Sequence, residues 1–307
     1  MTLPPIPIAS VPTPSLIADA RTAFHDALLA GTLIIDSKGV PSNADKDSVL
    51  SVEVAKGIAL ALKVQTTLAR GAGQTSGTSF EAACADFLRN TFLHLQHLRP
   101  GNWDVYQLKG GKGGAAVSQY TQYEHLAHIA AKAAADLQLA ASLGNDYTIK
   151  PDVVVVRRPE PDSAISPATL AVPIISPGLA TRAVLRDSAN SLPILHASVS
   201  CKWTMRSDRA QNARSEALNF IRNRKGRLPH IVSVTAEPVP SRIGSLALGT
   251  GDIDCVYHFA LYELEASLKA LAAGGSKSAV GAMRELTILI EGGRLKDISD
   301  LPLDLAV

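Results

Sequence analysis

Apolar and polar residues alternate along this chain in two distinct rhythms. Apolar residues recur at helical spacing over 15–29, 47–70, 79–98, 120–143 and 208–224. Pro100-Gly101 stops the third of these helices. Between them lie short strand-like runs at 103–108, 153–156, 194–199 and 230–235. The run Val153-Val154-Val155-Val156 is apolar at every position, the pattern of a sheet covered on both faces. Two segments near the end, 263–273 and 279–289, fit helix or strand. Residues 1–13 are proline-rich and read as an extended arm, 39–46 as a polar loop, and 71–77 as a small-residue loop. Five prolines between 159 and 178 mark a long loop or insertion. No internal repeat or clean linker divides the chain. The expectation is one α/β domain over 1–307, with a few strands flanked by helices.

Composition adds limits. Apolar residues make up 46% and aromatics only 5%, so alanine, leucine and valine must do most of the packing. Three widely spaced cysteines argue against a disulfide framework and suit a reducing cytoplasm. No apolar run approaches the roughly 20 residues that span a bilayer, and the first residues lack the pattern of a signal peptide. A cytoplasmic location is therefore expected.

The net charge of +2 hides a local bias. Residues 202–230 hold eight Lys and Arg against Asp208 and Glu216, a net +6. Such a segment attracts a polyanion, although a solvated helix face has the same composition. Arg206, Ser207, Asp208 and Arg209 stand at the helix start, where phosphate is favoured. Arginine grips two guanine acceptors and aspartate accepts from the cytosine amino group, so the cluster suits G·C pairs in a major groove.

Ser200-Cys201-Lys202 closes the apolar run before this helix. Alternation along a strand puts Ser200 and Lys202 on one face and Cys201 on the other. An inward lysine needs an anion. Asp152, after Pro151 at the mouth of another strand, and Glu216, on the following helix, supply carboxylates. Phosphodiester hydrolysis can be run on one or two divalent ions held by such groups, and Mg²⁺ needs only one or two protein carboxylates. Lys202 would then hold the attacking water or the scissile phosphate. Ser200 would hydrogen-bond nearby, and the Cys201 carbonyl would add a ligand. Glu216 lies about two turns beyond Arg209, so both can face the site.

Several features have competing readings. Thr78 to Glu81 fits a helix capping box. His94, His97, His125 and His128 suit a helix face better than a zinc site. The lysines and glycines of 109–114 resemble a phosphate loop, but no lysine is followed by Ser or Thr. Asp252 and Asp254 suit a turn before a strand better than a metal site.

The usual nuclease pattern is Asp, then Glu or Asp, one residue, and Lys. Here Ser200 replaces the second acid, and Glu216 follows Lys202 after thirteen intervening residues. With Arg206-Ser207-Asp208-Arg209, this arrangement resembles the restriction endonucleases of the PD-(D/E)xK superfamily that read CCGG-centred sites, of the NgoMIV type. The resemblance is strongest over 200–258. It includes Arg214-Ser215-Glu216-Ala217-Leu218-Asn219, Arg227-Leu228-Pro229-His230 and Gly249-Thr250-Gly251-Asp252-Ile253-Asp254.

The resemblance implies a central mixed sheet flanked by helices and Mg²⁺-dependent cleavage of both strands of a palindrome, GCCGGC. It implies a 5′ CCGG overhang with 5′-phosphate and 3′-hydroxyl ends. It also implies a homotetramer, a dimer of dimers, and a DNA methyltransferase acting on the same site. Asp152, Ser200, Lys202 and Glu216 match the catalytic motif, and Glu81 matches a further acidic position. Arg206, Asp208 and Arg209 match readers of the central CCGG. Gln74, Arg242 and Asp45 fall where minor-groove and outer-base contacts are expected. The alternatives are a structure-selective repair nuclease of the same fold and a DNA-binding protein without catalysis.

Overall fold

The computed structural model describes residues 14–64, 73–108, 117–143, 149–249 and 251–307, without the side chains of 73–75 and 207–208. Three helices lead the chain: α1 (Leu16–Leu29), α2 (Val49–Ala61) and α3 (Gly73–Arg89). Strand β1 (Trp103–Gln107) is followed by α4 (His125–Ala135) and α5 (Leu137–Leu143). After β2 (Val153–Arg157) comes the single helical turn α6 (Asp162–Ile165), set in the proline-rich insertion. The second half alternates strand and helix. It runs β3 (Ile194–Lys202), α7 (Ser207–Asn223), β4 (His230–Thr235), α8 (Pro240–Ala247) and β5 (Cys255–His258). It closes with α9 (Leu261–Ala273), α10 (Lys277–Glu291), β6 (Leu295–Asp297) and α11 (Leu301–Asp304).

Among the described residues, six strands form one sheet in sequence order. β2 runs antiparallel to both β1 and β3, and β3 through β6 are parallel. Helices α7 and α8, and then the α9–α10 pair, supply the crossovers that parallel neighbours require. Helix α3 packs on β1, β2 and β3, and α1 packs on α3. Val153, Val154, Val155 and Val156 are all fully buried, as a strand covered on both faces must be. This is the mixed sheet flanked by helices that the sequence led us to expect.

Helix α2 crosses α9 closely. A side chain at Gly57 would come within 2.0 Å of Ser267 Oγ, which donates to the Val54 carbonyl. Only glycine fits there.

Several boundaries differ from the periodicity. Helix α2 stops at Ala61 because Lys63 takes a left-handed backbone (φ 59°). Helix α3 begins at Gly73, inside the expected small-residue loop, and ends at Arg89. Thr78 is thus a helix-interior residue, and the capping-box reading of Thr78 to Glu81 fails. The helix expected over 120–143 breaks at Asp136, whose backbone is extended and whose Oδ1 accepts from the N–H groups of Gln138 and Leu139 to cap α5. Both segments left open near the end are helices, α9 and α10. Helix α8 and strand β6 escaped the pattern because eight and three residues are too short to show a period. The 109–114 stretch lies outside the described residues.

Candidate active site

The antiparallel register pairs Val153 with Val199, so the chain just before β2 runs beside the last residues of β3. Asp152 therefore faces Cys201 and Lys202. Its Oδ2 accepts from the Cys201 N–H at 2.7 Å and from Lys202 Nζ at 2.8 Å. On the other edge, the parallel partner β4 holds the same backbone. Ser233 Oγ donates to the Ser200 carbonyl at 3.1 Å, and Thr235 Oγ1 to the Lys202 carbonyl at 2.9 Å. The tip of β3 is thus fixed from both sides. The Asp152 and Lys202 side chains remain 20% and 18% exposed, so the pair sits at the strand ends within reach of solvent.

Glu216 arrives from α7. Burial pushes its carboxyl up to about 8, the Asp152 charge adds to the rise, and Lys202 opposes it. Burial works to lower the Lys202 ammonium, but Asp152 and then Glu216 outweigh it and hold the pKa above its ordinary value. The three groups expected to converge do converge. Glu81 joins their rim from α3: burial first, then Asp152, raises its carboxyl, against a hydrogen bond from Gln107 Nε2 at 3.3 Å and the charge of Lys202. Freed from any cap, Glu81 is an acid beside the site. The Cys201 thiol is buried against the Cys84 thiol, on the strand face opposite Lys202.

Two polar atoms here are buried without a partner among the described residues: Ser200 Oγ and Glu216 Oε1. A buried oxygen left unpaired is costly unless something fills its shell. The Cys201 carbonyl lies on the same strand edge as its N–H, beyond the last β2–β3 pair. Among the described residues no three His, Cys, Asp or Glu side chains are gathered into a metal cluster. An ion here would rest on two carboxylates, a carbonyl or hydroxyl, and water. That all-oxygen set, completed by solvent, fits magnesium rather than zinc.

The residues expected to read bases lie on the adjoining turn and helix start. Arg206 and Arg209 are exposed, and Arg209 Nη1 donates to Thr204 Oγ1 at 2.7 Å. Arg242 Nη2 binds Asp45, and Nη1 lies 3.8 Å from Glu237. Arg242 holds the Asp45 carboxyl below its ordinary range, the Asp47 N–H adds to this, and Arg206 contributes at longer reach. Asp45, Arg206 and Arg242, distant in sequence, therefore share one neighbourhood. The side chains of Gln74, Ser207 and Asp208 lie outside the described residues. Asp252 pairs with Arg214 at 3.2 Å, and Asp254 accepts from the Ile231 N–H at 2.8 Å. Both serve the turn before β5.

Glu237 was not anticipated. It is 1% exposed, and burial pushes its carboxyl up to about 7 against the Met205 N–H and Arg242. A lone acid between Ala236 and Pro238, in an otherwise apolar stretch, was the available signal.

Known proteins resemble this chain. A family profile described as the NgoMIV restriction enzyme matches residues 24–307. The curated type II restriction enzyme NgoMIV of Neisseria gonorrhoeae is 52% identical over 293 residues, covering 95% of this chain and 99% of that one. A crystal structure of the type IIF restriction endonuclease Bse634I with cognate DNA aligns over 81% of this chain and 91% of its own, at 14% identity and a TM-score of 0.33. Among the described residues no helix is long and apolar enough to cross a membrane. The chain belongs to the NgoMIV restriction enzyme family and is a type II restriction endonuclease, a site-specific deoxyribonuclease.

Proposed function

We propose that the enzyme hydrolyses both strands of GCCGGC in a Mg²⁺-dependent reaction, leaving 5′ CCGG overhangs with 5′-phosphate and 3′-hydroxyl ends. The observation that carries this is the clasp of Asp152 Oδ2 by Lys202 Nζ and the Cys201 N–H beside the unpartnered Glu216 oxygen. Asp152, Glu216 and the Cys201 carbonyl would hold the ion. When bound there, the ion would supply charge neutralisation at the phosphate and a more acidic water. Lys202 orients the attacking water against the phosphate, and Ser200 hydrogen-bonds within the same shell. Glu81 is a further acid at the rim. Water adds to phosphorus and the 3′ oxygen leaves, which sets the polarity of the ends.

Arg206, Asp208 and Arg209 read the central CCGG, while Arg242, Asp45 and Gln74 contact the outer pairs and the minor groove. The whole chain acts as one domain. A digest of plasmid DNA with Mg²⁺ should give discrete bands whose ends, when sequenced, map to GCCGGC. A smear, or no cutting, would sink the proposal.

The working assembly is a homotetramer, a dimer of dimers holding two DNA copies, with a DNA methyltransferase protecting the same site in the host. Palindromic sites are matched by two-fold protein symmetry. Exposed apolar side chains in the insertion, Val172 (77%), Ile174 (68%) and Leu179 (68%), offer surface that such an assembly can cover. A plasmid with two sites should be cut faster than one with a single site. Equal rates would argue against paired binding.

A further inference from the structure

We infer that Glu237 is a positioning residue that sets the base-reading arginines in register with the catalytic lysine. This rests on the roles proposed above for Arg206, Arg209 and Arg242. The turn from Lys202 to Arg206 is short and is pinned at both ends by one segment. At its start, the Lys202 carbonyl accepts from Thr235 Oγ1 at 2.9 Å and from the Ala236 N–H at 3.2 Å. At its end, the Met205 N–H donates to Glu237 Oε2 at 2.8 Å. The residue after Met205 is Arg206, which precedes helix α7.

The other oxygen of Glu237 faces the residues that follow on the same segment. Oε1 accepts from the Val239 N–H at 3.2 Å and lies 3.8 Å from Arg242 Nη1. Arg242 is thereby held between Glu237 and Asp45. One buried carboxylate thus divides its oxygens between the segment that reads central pairs and the arginine that faces outer pairs. Packing alone does not call for an acid here, because an apolar side chain of similar size fills space without the cost of burying charge.

The two oxygens predict separable effects. Glu237→Gln keeps one oxygen that accepts from the Met205 N–H, but puts its NH2 where Oε1 accepts from the Val239 N–H, and loses the charge opposite Arg242. Glu237→Ala loses both. The alanine variant leaves the Met205 and Val239 N–H groups without their acceptor and releases the turn that carries Arg206, which should weaken cognate binding about ten- to a hundredfold. The glutamine variant should hold cognate affinity within a few-fold while discrimination at the outer pair falls about three- to tenfold.

The test is equilibrium binding of the full-length variants to a GCCGGC duplex, to duplexes altered at a central or an outer pair, and to random DNA. Arg206→Ala, Arg209→Ala and Arg242→Ala run beside them, with melting temperatures for all. The expected result is outer-pair loss in the glutamine variant and loss at both positions in the alanine variant. If the alanine variant does not fold, the glutamine variant decides alone. Unchanged discrimination in the Glu237 variants, with loss in the arginine variants, overturns the inference and spares the reading beneath it. Unchanged discrimination in the arginine variants removes that reading and the inference together. An equal loss on every duplex makes Glu237 a purely structural residue and also overturns it.

Discussion

Lys202→Ala should stop cleavage while leaving binding to the cognate duplex within a few-fold of wild type. The lysine sits at the tip of β3, paired to Asp152 at 2.8 Å and largely buried, whereas Arg206 and Arg209 are exposed. Its loss should reduce the cleavage rate by about 10²–10⁴, the range for a positioned group that acts on the attacking water. The tip itself should survive, because the Ser200 and Lys202 carbonyls are held from β4 and the Cys201 N–H still reaches Asp152. Single-turnover cleavage and equilibrium binding, measured on the same preparation, check both halves. Loss of binding together with cutting would show that the lysine acts as a structural strut.

Glu216 should make metal binding depend on pH. Its carboxyl is raised from 4.5 to about 8, by burial first and then by Asp152. Below pH 8 it is largely protonated, and a cation must displace that proton. Apparent affinity for Mg²⁺ should therefore rise as pH increases towards 8, by up to about tenfold per unit for one linked proton, and level off above it. Calorimetry in two buffers of different ionisation heat should detect the released proton at pH 7, a signal that does not depend on catalysis.

Stability follows the same titration. Because the folded value is raised, the favourable contribution is complete below pH 4.5 and is lost as pH rises through about 8. Without metal at pH 8.5, Glu216→Gln should melt at a higher temperature than wild type. With metal it should lose the ligand and cut about a hundredfold or more slowly. A metal affinity flat between pH 6 and 8 would remove Glu216 from the ligand set.

Much of the site could be read from the chain because its members stand at strand and helix ends with local signatures. Pro151-Asp152 opens an apolar strand, Lys202 closes another, and Arg206 to Arg209 start a helix. Each is marked by a change of rhythm within a few residues. That these ends meet depends on pairing across the fold. The Val153–Val199 register brings Asp152 to Lys202, and the β3–α7–β4 crossover returns Glu216 to them.

Other features had no local signature. Glu81 fits a helix cap as well as the further acidic position that the resemblance implies, and only the earlier start of α3 removes the cap and leaves an acid beside Asp152. Glu237 has no local signature because its partners, the Met205 N–H and Arg242, lie on different segments. Local chemistry written in consecutive residues told us which groups were available for nuclease work. Which of them share a space follows from strand register and helix docking, because burial, charge coupling and hydrogen bonds act between residues distant along the chain.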